Sequence, residues 1–162
     1  MITLACFVAL AASLGAAPAV TPPSPTLNDL SPLVGNWEAR TPSGGTIKAS
    51  YRWSANNTVL VQTYVTASGK ETLTLFHADG PALVAVHYCA QGNQPRLTLQ
   101  PDSTPARLVF VFRDATNLAS PAASHLVRLA ITMDGTNAYT LLETYEESGT
   151  PDHTTLRFQR VK

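Results

Sequence analysis

From about residue 33 onward the chain alternates between apolar and polar positions. Ile47, Ala49, Tyr51 and Trp53 are separated by Lys48, Ser50 and Arg52, and Leu108, Phe110 and Phe112 stand against Arg107 and Arg113. Val127, Leu129 and Ile131 oppose Arg128 and Thr132, and Leu156 and Phe158 oppose Arg157 and Gln159. Successive side chains of an extended chain point to opposite faces, so a period of two marks strands with one face in a core. The pattern predicts strands over Asn36–Arg40, Thr46–Trp53, Val59–Val65, Glu71–His77, Leu83–Cys89, Arg96–Leu99, Arg107–Arg113, His125–Met133, Tyr139–Glu146 and Thr154–Val161. Leu83–Cys89 is apolar on both faces, which leaves its orientation open.

Turn residues punctuate the series: Ser43-Gly44-Gly45, Asn56-Asn57, Ser68-Gly69, Asp79-Gly80, Gly92-Asn93, Asp134-Gly135 and Ser148-Gly149. Gly and Asn tolerate the left-handed backbone that tight hairpins need. Short connections favour a meander over a Greek key, and closing the meander on itself removes its sheet edges. The expected fold class is all-β: an antiparallel up-and-down barrel of about ten strands. The longest connection, Asp114 to Ser124, contains Pro121 and several alanines and is open to two readings, a one-turn helix or a flap over the barrel.

Ahead of the strands lies a different composition. Met1 to about Ala19 is an apolar, Ala-rich run ending in Ala17-Pro18-Ala19, which fits a secretory leader with an A-x-A cleavage site. No Lys or Arg precedes the run. It is short for a membrane span, so no transmembrane anchor is expected. Leu4-Ala5-Cys6 has the letters of a lipoprotein box without a preceding hydrophobic stretch. Residues 20–32, with Pro22, Pro23 and Pro25, read as an extended tether ending at most in a helical turn near Leu27 to Leu33. The expected organisation is a leader over 1–19, the tether over 20–32 and one barrel domain over 33–162, in an exported protein, periplasmic or secreted.

Charge and cysteine content narrow the function classes. Lys+Arg and Asp+Glu are equal at 11 each, so no net field recruits nucleic acid or an anionic membrane. Removal of the leader takes Cys6 with it and leaves Cys89 alone, so the fold must rest on its core. A monomer is expected.

Leu33-Val34-Gly35-Asn36-Trp37 resembles the Gly-x-Trp opening of the calycin superfamily, the lipocalins and fatty-acid-binding proteins. The resemblance implies a Trp at the closed end of the barrel with a basic residue of the last strand packed across it. Arg160 shares a face with Leu156 and Phe158 and is the candidate; Arg157 has the opposite parity. The chain lacks the disulfide cysteines and long terminal helix of secreted lipocalins. It is closer to the small lipocalin-like domains of bacterial exported proteins, a likeness that implies fold and ligand class only.

The residues then offer several sites. Tyr139, Glu143 and Tyr145 share a strand face with Leu141. If that face is inward, a carboxyl and two phenols enter the barrel, with His125 a plausible partner; the opposite face carries Leu142 and Thr144, and the choice stays open. Polar contacts to a ligand are expected from His87, His125, Glu143 and Tyr145, against walls of Tyr51, Trp53, Phe110 and Phe112. The same aromatics equally suit a filled core. His87 and Cys89 share a face beside Arg96, which would suit a thiol nucleophile at the mouth if a cation lowered its pKa; a Cys serving as a small hydrophobe is the plainer reading. His77, His87, His125 and His153 lack the spacing of a local chelate, so neither metal nor cofactor is expected. Asn56-Asn57-Thr58 is a glycosylation sequon of consequence only in a eukaryotic secretory pathway. The leading reading is a non-catalytic holder of a small, mostly apolar molecule or lipid. The alternatives are an enzyme around His87, Cys89 and Arg96, and a filled barrel of the cell envelope.

Overall fold

Ten strands follow one another in antiparallel order in a computed structural model of the chain, which describes residues 24–161. They are β1 (Gly35–Arg40), β2 (Thr46–Ser54), β3 (Val59–Val65), β4 (Glu71–Asp79), β5 (Ala82–Tyr88), β6 (Gln94–Leu99), β7 (Arg107–Thr116), β8 (His125–Met133), β9 (Ala138–Glu147) and β10 (Thr150–Arg160). Each pairs with its neighbours in sequence, and β1 pairs with β10 to close an up-and-down barrel. The expected leader and most of the tether lie outside the described residues. No helix among the described residues is long and apolar enough to cross a membrane.

Alternation explains the packing. Ala49, Tyr51, Leu60, Phe76, Leu97, Leu108, Leu141, Leu156 and Phe158 are buried in one continuous core. Burying each of the larger of these side chains is worth about 1.5–3 kcal/mol. The orientation of β5 is settled by its partners: Leu83 and Ala85 belong to the core and His87 is buried with them. β8 departs from simple parity. A bulge between Leu126 and Arg128 shifts the register, so Leu126, wholly buried, takes the inward place that alternation gives to Val127.

Two strands begin ahead of their sequence patterns and run through a proline. β6 begins at Gln94 and includes Pro95, and β10 begins at Thr150 and includes Pro151. Proline cannot donate to a ladder, and both stand where one neighbour is missing. β6 meets β5 only from Arg96 onward, and β10 meets β1 only at Trp37↔Arg160 and Glu38↔Gln159. Ser148 and Gly149, with φ of 53° and 76°, make the two-residue turn that lets β9 run straight into β10.

The two ends of the barrel differ. At one end a 3₁₀ helix, Leu27–Leu33, inserts Leu30 and Leu33 completely into the core. This end is the floor. At the other end, the mouth, residues 117–124 run along the rim in turns without a helix. They are tied to the β5–β6 turn by Asn93 Nδ2 donating to Ser124 O at 2.9 Å and by Asn117 Nδ2 donating to Gly92 O at 2.6 Å. The Ser148 amide donates to Ala122 O at 2.9 Å on the far side.

Candidate functional site: a polar chamber above a closed floor

The floor is built on Trp37. It is 2% exposed, its indole N–H donates to Leu33 O at 2.6 Å, and its ring meets Tyr139 edge-on at 4.9 Å. The Arg160 guanidinium lies 4.1 Å above the Trp37 ring and donates to Val34 O at 2.7 Å and Pro32 O at 2.6 Å. A cation over an indole face is attracted by the ring quadrupole, and three of its N–H groups donate to main-chain carbonyls, Thr136 O being the third. Arg157 points outward to Asp134 at 3.3 Å. Gly35 has φ +125°, and a β-carbon there would lie 2.7 Å from the Arg160 guanidinium. The glycine of Gly-x-Trp is therefore a requirement of backbone shape and of space.

Above the floor, aromatic packing gives way to polar groups. Tyr139 stacks on Phe158 at 4.9 Å and donor–acceptor contacts begin at its hydroxyl. Tyr51 donates to the Tyr139 hydroxyl at 3.2 Å and accepts from Gln62 Nε2 at 2.8 Å. Nearer the mouth, His87 is held between Thr74 Oγ1 and the Tyr145 hydroxyl, each 3.1 Å from a ring nitrogen. Two hydroxyls suit a neutral imidazole, one donating to the bare nitrogen and one accepting from the N–H. Burial pushes His87 down to about 4, so it is uncharged at neutral pH.

Between these networks stands Glu143, on the inward face of β9 with Tyr139, Leu141 and Tyr145. β9 packs this face with Leu156 and Phe158 of β10. Among the described residues no hydrogen bond or ion pair reaches the Glu143 carboxyl. Protein surrounds it, and that enclosure pushes it up to about 7. It is half-buried, with part of its surface left open. Its charge acts on Tyr51, Tyr64, Tyr139 and Tyr145, all of which are raised chiefly by their own burial. Tyr64, edge-on to Phe158 at 6.2 Å, also has a hydroxyl without a hydrogen bond among the described residues. A carboxyl and a phenol thus stand on inward faces of the barrel without a hydrogen-bond partner among the described residues.

The residues singled out from sequence are dispersed differently from one another. His87, Glu143 and Tyr145 come together, and Tyr51 joins them through Gln62 and Tyr139. His125 does not reach Glu143. The β8 bulge sets it opposite Glu146, where its Nδ1 lies 2.7 Å from Ala123 O and its ring packs on Phe112 at 4.7 Å. Phe110 is wholly buried against Phe76 at 5.5 Å, and Trp53 packs at the floor end of β2. Gln62, Tyr64 and Thr74 were not anticipated. The signal for Gln62 is present in the sequence, as the polar member of the period-two face Leu60–Gln62–Tyr64.

His87, Cys89 and Arg96 do not share one face. Arg96 is outward, ion-paired to Asp114, in an outer groove with Val84, Val86 and Tyr88. It cannot act on a thiol beside His87, which is inward. Cys89 lies at the strand end, half-buried, and accepts a weak hydrogen bond from the Gln91 amide at 3.5 Å. Among the described residues no three His, Cys, Asp or Glu side chains converge as a metal site would require. Other hollows lie outside the barrel. One of about 540 Å³ flanks the seam between Ala39–Pro42 and Thr155–Arg157, where the β1–β10 ladder stops. It holds no buried polar group in search of a partner.

The chain is similar in structure to a solved protein, Rv2717c from M. tuberculosis, with a TM-score of 0.56 and 18% identity over 86% of this chain and 99% of that one. At that identity the likeness establishes the barrel fold and nothing of the chemistry. No protein-family model and no curated protein matches the sequence.

Proposed function

We propose that this barrel is a non-catalytic, lipocalin-like binding protein that holds a small, mostly apolar molecule in the chamber above the Trp37 floor. The observation that carries this reading is Glu143, on the inward face of β9, half-buried and without a hydrogen-bond partner among the described residues. Buried polar groups are ordinarily satisfied, and a carboxyl left without a partner in an apolar interior awaits one from outside. A few fixed polar groups amid aromatic walls are what orients a ligand in such sites. Access runs through the mouth, where a pocket of about 480 Å³ reaches Tyr145. The same reading makes the protein exported and monomeric, with the leader removed near Val20; N-terminal sequencing of the mature protein tests the export, and a retained Met1 would contradict it.

Native mass spectrometry of protein purified from its own host tests the binding. The expected result is a non-covalent companion mass that is lost on denaturation and absent from Glu143→Leu. A wild-type protein that carries only its own mass, and that takes up no apolar fluorophore such as 1-aminoanthracene, would make it a filled structural barrel instead.

A further inference from the structure

The two strands that close the barrel are unequal. β1 has 6 residues and β10 has 11, and their ladder consists of Trp37↔Arg160 and Glu38↔Gln159. Toward the mouth β10 runs on without β1. Residues of an antiparallel strand turn their N–H and C=O alternately to one neighbour and to the other. The Val161 amide donates to Asn36 O on the β1 side at 2.8 Å, and the Arg160 amide to Asn137 O on the β9 side at 3.0 Å. Counted back by twos from Val161, the main-chain groups of Arg157, Thr155 and His153 turn to the seam, where no strand stands opposite them. The same count from Asn36 turns the main-chain groups of Arg40 to the seam from the other bank.

Residues 150–155 of β10 are exposed throughout, so this is an open sheet edge, the template on which another strand can pair. Pro151 has no N–H to offer and blocks the edge at its mouth end, leaving His153 to Arg157 free. Alongside lies the outer groove of about 540 Å³, lined by Ala39, Pro42 and Leu156 with Arg40 and Arg157 on its banks. Arg157 is matched by Asp134 at 3.3 Å and Glu38 by Lys48 at 4.0 Å. Arg40 reaches only Gly44 O, at 3.5 Å, and has no carboxylate partner among the described residues. The surplus charge of the groove is therefore positive. A second copy meeting this edge with its own would set that surplus against itself, whereas an acidic strand complements it.

We propose that the free edge of β10 binds an extended acidic segment of another protein, added as a strand antiparallel to β10. Its acidic side chains point outward beside Arg40 and Arg157, and its small apolar ones point inward against Ala39 and Leu156. Main-chain hydrogen bonds to His153, Thr155 and Arg157 supply the affinity, and the unmatched Arg40 selects for charge. The surface lies outside the barrel, so it stands apart from whatever the interior holds.

The test is amide hydrogen exchange, read by NMR on the mature protein at low ionic strength, where exposed charges are least screened. The probes are end-capped peptides of sequence TEVEVET and TKVKVKT. TEVEVET is expected to slow exchange at His153, Thr155 and Arg157 while leaving Thr154 and Leu156, already bonded to β9, unchanged. It should do so at a concentration at least about tenfold lower than TKVKVKT requires. Methylating the Glu amide nitrogens of TEVEVET, which face β10 in this arrangement, should abolish the protection. Arg40→Gln, on the surface, should weaken TEVEVET by about two- to fivefold, as loss of one exposed ion pair does. No protection by either peptide, or equal protection by the methylated one, would overturn the strand addition. Equal affinity of the two peptides would overturn the acidic partner. The same amides protected without peptide, in a protein that sediments as a dimer, would make a second copy the occupant and overturn the proposal as well.

Discussion

The two ends of this barrel hold comparable polar equipment and treat it in opposite ways. At the floor, the charge of Arg160 is over a ring and its N–H groups are donated to carbonyls, and the Trp37 indole N–H is bonded to Leu33 O. Above it, Glu143 stands on the inward face of β9 and, among the described residues, has no hydrogen-bond partner. A floor that satisfies its own groups is a structural closure. A chamber that leaves a carboxyl and a phenol unsatisfied is destabilised unless something fills it, and such local costs concentrate where a protein works.

The contrast can be broken most forcefully at the floor. Trp37→Ala removes a buried ring, its hydrogen bond and the surface on which Arg160 rests, and should cost about 3–5 kcal/mol by urea denaturation. A loss under about 1 kcal/mol would mean that the floor is not held by Trp37.

The chamber should respond with the opposite sign. A carboxyl held at about 7 when folded and near 4.5 when unfolded keeps its proton longer in the native state. Its contribution to stability is then present below pH 4.5 and is lost as pH rises through 7. Glu143→Gln, which does not ionise, should be more stable than wild type by about 2–3 kcal/mol at pH 8 and equal to it at pH 4.5. His87 works the other way: its depressed pKa gives stability that is complete above 6.5 and is lost as pH falls through 4. In the Glu143→Gln protein that rise between pH 4 and 6.5 should stand uncovered. A variant less stable than wild type at pH 8 would show that Glu143 is paired after all.

Smaller effects sharpen the floor. Gly35→Ala forces a side chain into positive φ and toward Arg160, at about 1–3 kcal/mol. Arg157→Ala breaks an exposed pair with Asp134 and should change the melting curve by less than about 1 kcal/mol. Equal losses from Arg157→Ala and Arg160→Ala would erase the distinction drawn between the two arginines.

The sequence showed the floor more clearly than the chamber. The Gly-x-Trp resemblance pointed to Trp37 and a basic residue of the last strand, and parity with Leu156 and Phe158 then chose Arg160 over Arg157. The strand count came from turn chemistry at Asn56-Asn57, Ser148-Gly149 and their kin. Glu143 was ambiguous because both faces of its strand are mixed; only pairing with Leu156 and Phe158 turns it inward. His125 was misplaced against Glu143 because one bulged residue, at Leu126 to Arg128, inverts parity for everything before it. Pro95 and Pro151 marked strand ends in the pattern, yet missing neighbours let the strands continue through them.

The central claim is that Glu143 is enclosed without a counter-charge. Carboxyl carbon NMR of the protein stripped of small molecules, titrated from pH 4 to 9 with Glu143 assigned through Glu143→Gln, measures it directly. The account predicts a midpoint near 7. A midpoint in the ordinary carboxylate range, about 4 to 4.5, would contradict it.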